Sequence, residues 1–190
     1  MSPLETLRSM LLAPRAAWDN VALRPLGPLE LTLRCILPFS LIAPLASFIG
    51  MTFFDREWSP VFGYQVHRDR IPGAVASTFL FSVVSVYAIA AAFCLTAPLA
   101  RARSDYRLAL NIATLGALPL WASGVALVMP SGVLLCLAFA LHALSLYSQG
   151  AVRLLGVKED ESLFFVVFSL VFMAIASFLL GAAASNLGLT

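Results

Sequence analysis

The chain has 190 residues, of which 61% are hydrophobic and only 12% are charged. Soluble globular domains carry about 25% charged residues, so this composition excludes an ordinary soluble domain and indicates a membrane protein. The net charge of +2 is too small, and the Lys and Arg residues are too scattered, for a protein that binds nucleic acid.

The first 30 residues form an amphipathic segment. Apolar residues recur there at helical spacing between charged ones, and Pro14 suits the first turn of a second short helix. Trp18 falls on the apolar side, which is typical of a helix that lies along the membrane surface. Packing of this helix on another cytoplasmic part of the protein fits the pattern equally well. We therefore predict two short amphipathic helices over residues 1–30.

Five apolar segments follow, each long enough to cross a bilayer at about 1.5 Å per residue. Pro38 and Pro44 are expected to bend the first of them, and a turn sequence at 129–132 separates the third from the fourth. We predict that residues 31–190 form a bundle of five transmembrane helices, with spans at about 33–54, 72–100, 107–128, 133–155 and 162–187. The expected fold is therefore an all-α integral membrane protein.

Basic residues are divided unevenly between the two ends of such a bundle. Nine of the 12 Lys and Arg residues lie in the amino-terminal segment and in the second and fourth loops, and three lie in the first loop. Because cytoplasmic loops carry an excess of Lys and Arg, the amino terminus is predicted in the cytoplasm and the carboxyl terminus outside. Tyr106, beside the second loop, is predicted at the membrane interface, as is Trp18.

Two rows of small residues indicate helix-packing surfaces, because small side chains let helices approach closely. One row, on the second span, includes Ser82 and Ala90. The other, on the fifth span, includes Ser177, Gly181 and Ser185. The second row suits an internal contact or a symmetric dimer, so a homo-oligomer remains an open alternative.

Four polar residues share one face of the fourth span at i, i+3, i+7 and i+11: His142, Ser145, Gln149 and Arg153. A polar group in hydrocarbon is costly unless it finds a partner, and ionisable groups in spans often have functional roles. One interpretation is a hydrated path or small-ligand pocket lined by this row together with Asn111. The other is hydrogen bonding between helices, in which Asn111 or Ser82 satisfies His142.

Nothing in the sequence indicates an enzyme or a metal protein. It has no catalytic, zinc-binding or phosphate-binding motif. The three cysteines fall in apolar stretches without CxxC spacing, which favours free thiols over metal ligands or a disulfide. Asp55, His67 and Asp69 lack a recognised spacing of metal ligands. We expect no enzymatic activity, no metal and no cofactor.

Four features resemble the Yip (Ypt-interacting protein) membrane domain family in its short bacterial form. They are residues 11–18 before the first span, Pro119 and Gly124 in the third, the tight hairpin between the third and fourth, and the stretch from Tyr147 through Gly156 into the acidic start of the last helix. The resemblance implies a five-helix bundle in the bacterial inner membrane with a cytoplasmic amino terminus.

Two functions follow from this layout. The first is an adaptor or organiser that binds other membrane proteins or lipids through the small-residue rows and cytoplasmic loops. The second is a small transporter or channel that uses the polar row. The spans contain no carboxylate, which weakens a proton- or cation-coupled transporter. The expected partners are the lipid bilayer and other membrane proteins, and not nucleic acid.

Overall fold

The computed structural model describes residues 3–53, 70–129 and 132–186, with backbone only for Pro3 and residues 180–186. Two short helices, α1 (Pro3–Leu12) and α2 (Pro14–Leu23), precede five long ones, and the described residues contain no strand. All five long helices have the length and hydropathy to cross a membrane. The predicted all-α membrane fold is therefore confirmed.

The structure gives its own bounds for the five candidate spans. They occupy Pro28–Phe53, Ile71–Ala100, Tyr106–Val128, Gly132–Leu155 and Glu159–Leu179, and the last helix runs from Ser162 to Asn186. The first span begins at Pro28 rather than at residue 33. The first loop lies outside the described residues from 54 to 69, as do residues 130 and 131 of the predicted turn.

The prolines make the first span irregular. Pro38 has no N–H to donate to the carbonyl of Arg34, and the helix there widens into a π-turn over Thr32–Ile36. Pro44 likewise withholds a donor from the turn before it, and the helix is interrupted there at Leu41. The bends expected from these prolines therefore take the form of two local breaks.

The third span is the centre of the bundle. Residues 109–119 are all buried, and 72% of its most apolar stretch is buried, against 22% for the fourth and fifth spans. Asp105 caps its amino end by accepting hydrogen bonds from the N–H groups of Arg107 and Leu108, at 2.9 and 3.2 Å. The other helices therefore pack around a span that has little surface left for lipid.

Both short helices and two of the connecting loops meet at one end of the bundle, which we call the basic end. The backbone N–H of Arg103, in the loop before the third span, donates to the carbonyl of Leu155 at the end of the fourth (2.9 Å). The Arg107 side chain reaches the carbonyl of Pro25 just after α2 (2.7 Å). The basic end therefore comprises α1, α2 and the loops at 101–105 and 156–158.

Candidate functional site

Helix α2 is packed against the bundle through Trp18, whose side chain is 0% exposed. A Cβ added at Gly150 of the fourth span would lie only 3.0 Å from Trp18 Cζ2, so the indole occupies space that a side chain would otherwise fill. Of the two alternatives left open for this helix, the structure shows the packing of Trp18 on protein, and the position of Trp18 at the membrane interface stays a prediction. The indole is buried against protein because the fourth span offers it a glycine.

Asn111 of the third span holds the chain that follows α2. Its Oδ1 accepts from the N–H of Leu26 (3.1 Å), and its Nδ2 donates to the carbonyls of Leu26 (3.0 Å) and Arg107 (2.9 Å). The amide is fully buried, so these bonds satisfy polar groups that water cannot reach. Asn111 therefore anchors the amino-terminal segment, and the structure does not bring it into the polar row.

The polar row on the fourth span faces outward along most of its length. Ser145 and Arg153 are exposed, while His142 and Gln149 are half-buried. Gln149 Nε2 donates to Ser145 Oγ (3.2 Å), and Arg153 Nε lies 3.3 Å from Asp19 Oδ1 on α2.

The partners expected for His142 are engaged elsewhere. Ser82 accepts a hydrogen bond from Trp121 Nε1 (3.0 Å), and Asn111 binds Leu26. His142 Nε2 is buried and has no hydrogen-bond partner among the described residues. Hydrogen bonding from Asn111 or Ser82 to His142 is therefore not what the structure shows.

Three residues of the row line a cleft at the basic end, between α2, the fourth span and the start of the fifth. The cleft measures about 330 Å³. We call it the polar cleft and define it by six of its lining residues: Arg15, Ser145, Ser148, Gln149, Arg153 and Glu159. It contains two guanidinium groups and one carboxylate, so it can bind an anion and a cation side by side.

Several polar groups of the polar cleft lack partners. Ser148 Oγ and Gln149 Oε1 are buried without a hydrogen bond from any described residue. The guanidinium of Arg15 and the carboxylate of Glu159 also form no hydrogen bond or ion pair with any described residue. Buried polar atoms are rarely left unpaired in folded proteins, so Ser148 Oγ and Gln149 Oε1 are expected to have a partner such as water or a ligand. Arg15 and Glu159 are exposed and are open to a ligand from the surroundings.

Sequence periodicity predicted only part of this cleft. Ser145, Gln149 and Arg153 share a helix face, and that pattern correctly placed them together. Arg15 and Glu159 come from other elements and reach the cleft through the packing of α2 and the turn into the fifth span. Ser148 stands three residues after Ser145, a helical spacing that could have indicated it.

The Yip1 domain model matches residues 8–181, nearly the whole chain. The chain belongs to the Yip1 domain family. The resemblance seen in the sequence is thus confirmed. No curated protein and no solved structure matches it significantly.

The remaining predicted residues of this Yip1 domain are partly described. Ala90 is fully buried in the core, Tyr106 is exposed at the start of the third span, and Ser177 is exposed on the fifth. Gly181 and Ser185 lie in the last helix, in the part for which only the backbone is described. Because Ser177 is exposed, its row on the fifth span is not shown to pack internally at this residue, and the symmetric dimer stays a prediction.

The Yip1 domain shows no metal-binding arrangement in the ranges that the structure describes. No group of three His, Cys, Asp or Glu side chains there is placed to hold a metal ion. The three cysteines, Cys35, Cys94 and Cys136, are free thiols. Asp55, His67 and Asp69 lie outside the described residues.

Proposed function

We propose that this Yip1-domain protein is a membrane adaptor or organiser that binds other membrane proteins or lipids through its outer surface. One observation carries the proposal: the third span fills the centre of the bundle, and the polar row lies at the periphery. The proposal includes no enzymatic activity, since the sequence contains no catalytic motif.

The filled centre favours binding over conduction. A conduit through a helical bundle needs an interior lined by polar groups and water, and polar residues in spans usually face such an interior. Here residues 109–119 of the third span occupy the interior and are packed on all sides. Ser145 and Arg153 point away from it, toward α2 and the surroundings of the bundle.

The outer surface offers a large apolar area to partners. On the fourth span, Leu134, Leu137 and Leu141 are all exposed, and the fifth span exposes Phe164, Phe168 and Phe172. Acyl chains and the spans of other proteins are equally suited to cover such surface. This apolar outer surface supports a protein that binds partners rather than one that conducts a solute.

We further propose that the protein lies in a bacterial inner membrane with the basic end in the cytoplasm. Nine of the 12 Lys and Arg residues belong to segments that meet at the basic end or to the first turns of the first span. The excess of basic residues on cytoplasmic segments supports this orientation. The carboxyl terminus is then extracytoplasmic.

A transporter or channel is the second candidate function, and one observation favours it. His142 Nε2 is buried within a span and has no partner among the described residues, which suits a group that contacts water or a solute. Such a path would run along the fourth span rather than through the centre of the bundle.

Site-specific photo-crosslinking in membranes tests the adaptor proposal. A photoreactive residue at Leu141, which is 70% exposed, is expected to crosslink to lipids or to other membrane proteins. The matched control is Leu115 of the third span, which is 0% exposed and is expected to give only crosslinks within the chain. Equal external crosslinking from both positions would contradict the filled centre.

Flux through proteoliposomes separates the two functions. An adaptor is expected to give no selective permeation, and His142→Leu is expected to change nothing in the assay. Selective flux that His142→Leu abolishes, in a variant that keeps its melting temperature, would establish the conduit and overturn the adaptor.

A further inference from the structure

The polar cleft carries unpaired groups of both charges, and this combination identifies a ligand. Arg15 and Arg153 are cationic donors, Glu159 is an anionic acceptor, and Ser148 Oγ and Gln149 Oε1 add a hydroxyl and an amide oxygen. A purely anionic ligand would satisfy the arginines but would lie against the Glu159 carboxylate. A ligand with a phosphate and an amine satisfies both sets.

The apolar surface next to the cleft extends the site into the bilayer. Leu134, Leu137 and Leu141 stand at i, i+3 and i+7 before Ser145 at i+11, so all four lie on one face of the fourth span. The three leucines are exposed. From Ser145 to Leu134 the helix rises about 16 Å, close to the ~15 Å of hydrocarbon in one leaflet. An acyl chain therefore has an apolar track that leads directly from the cleft.

The end of the fourth span is built to present Arg153 beside this track. The last turn, Ala151–Leu155, is a π-turn with Arg153 as its middle residue, and Gly156 ends it with a φ of 75°. Insertions of this kind in α-helices often mark functional sites. Asp19 contacts Arg153 at Nε, and the terminal guanidinium nitrogens form no hydrogen bond with any residue that the structure describes.

We propose that the polar cleft binds the headgroup of a phospholipid that carries a primary amine, a phosphoethanolamine. The phosphate lies between Arg15 and Arg153, the ammonium pairs with Glu159 and Gln149 Oε1, and the acyl chains follow the three leucines. Guanidinium and phosphate form charge-assisted hydrogen bonds of matched geometry. A primary ammonium supplies the donors that the carboxylate and the amide oxygen need, which a quaternary amine does not.

This inference deepens the proposed function, on whose outward-facing surface it rests. It identifies the lipid partner of the proposed adaptor as an aminophospholipid in the leaflet at the basic end. It also gives the packing of α2 a role, because α2 supplies Arg15 and thereby one half of the phosphate site.

Lipid retention by the purified full-length protein tests the inference. Native mass spectrometry of the protein in detergent is used to compare bound phosphatidylethanolamine with bound phosphatidylglycerol at equal mole fractions. We expect more phosphatidylethanolamine than phosphatidylglycerol on the unmodified protein. We expect Arg15→Gln to lower retention of both lipids about tenfold, the typical effect of losing one charge-assisted bond. Arg15 has no described bond to lose, so this variant is expected to fold.

Three further variants make the result specific. Glu159→Gln is expected to remove the preference for phosphatidylethanolamine while keeping the binding of phosphate-containing lipid. Asp19→Asn removes the carboxylate that pairs with Arg153 Nε at 3.3 Å and leaves Arg153 free for phosphate, so the retention of either lipid is expected not to fall. Arg103→Gln is the matched control for charge, because Arg103 is exposed at the same end and does not line the cleft.

Equal retention of the two lipids by the unmodified protein would overturn the inference, as would unchanged retention in Arg15→Gln. Complete displacement of the lipid by millimolar inorganic phosphate would assign the cleft to a free phosphate instead and would also overturn it. These failures leave the crosslinking of Leu141 and the flux assay untouched, so they are distinguishable from failure of the adaptor proposal.

Discussion

At the scale of single residues, glycines determine how closely the helices of this bundle approach. A Cβ at Gly116 of the third span would lie within 2.6 Å of Tyr147 Cε1 on the fourth, and a Cβ at Gly150 would lie 3.0 Å from Trp18. Both positions bring an aromatic ring onto a bare stretch of helix. The tight contact of the third and fourth spans and the position of α2 therefore each depend on one missing side chain.

Replacement of Gly116 by Ala is expected to destabilise the fold. The new methyl group must displace the ring of Tyr147, which is packed edge-on against Phe93 at 5.7 Å and cannot move freely. Overpacking of this kind typically costs about 1–3 kcal/mol. The measurement is the melting temperature in detergent, with Gly73→Ala as the control, because nothing lies within 4 Å of a Cβ at Gly73. Equal melting temperatures of the two variants would contradict the contact.

Replacement of Asn111 by Leu is expected to loosen the amino-terminal segment. Leucine has nearly the same size but leaves the N–H of Leu26 without its acceptor and the carbonyl of Leu26 with only the longer bond from Arg107 Nε (3.4 Å), and an unpaired buried N–H costs about 1–3 kcal/mol. The rate of proteolysis between α2 and the first span is expected to rise. Thr114→Val is the control, since Thr114 Oγ1 is buried with no partner among the described residues and its loss is expected to be neutral or stabilising. Similar behaviour of the two variants would argue against the anchor.

At the scale of elements, α2 is the part whose position the sequence left open. Its pattern of apolar and charged residues is equally compatible with a membrane surface and with a protein surface. The structure shows the second, because Gly150 makes room for the indole and Asn111 fixes the chain beyond the helix. The spacing of apolar residues within α2 cannot reveal such contacts, because their partners lie far away in the sequence.

The packing of α2 is expected to depend on Trp18 and not on the Asp19–Arg153 pair. Truncating a buried Trp to Ala typically costs about 3–5 kcal/mol, whereas an exposed ion pair contributes less than about 1 kcal/mol. Both partners of the pair are about half exposed, at 56% for Asp19 and 49% for Arg153. Limited proteolysis near residue 13 is expected to accelerate strongly in Trp18→Ala and little in Asp19→Asn. The reverse order would mean that electrostatics hold α2 in place.

At the scale of the whole molecule, the fold class and the number of spans could be predicted because both follow from the lengths of apolar runs. Which span occupies the centre could not, since the third and fourth spans have the same mean hydropathy of 1.5 and one is buried while the other faces outward. Composition reports the total apolar surface of a helix, but lipid and protein neighbours cover that surface equally well. The polar row was visible in the sequence because periodicity shows which residues share one face of a helix. Periodicity does not show which residues of other helices lie opposite that face, so the partners of the polar row could not be predicted.

Five crossings are an odd number, so the two ends of this chain are expected on opposite sides of the membrane. Reporters that are active only in the cytoplasm or only outside it, fused in turn to the amino and the carboxyl end, test this threading most directly. The five-span bundle predicts a cytoplasmic amino end and an extracytoplasmic carboxyl end. Detection of both ends in one compartment would contradict it, and with it the placement of the polar cleft at the cytoplasmic face.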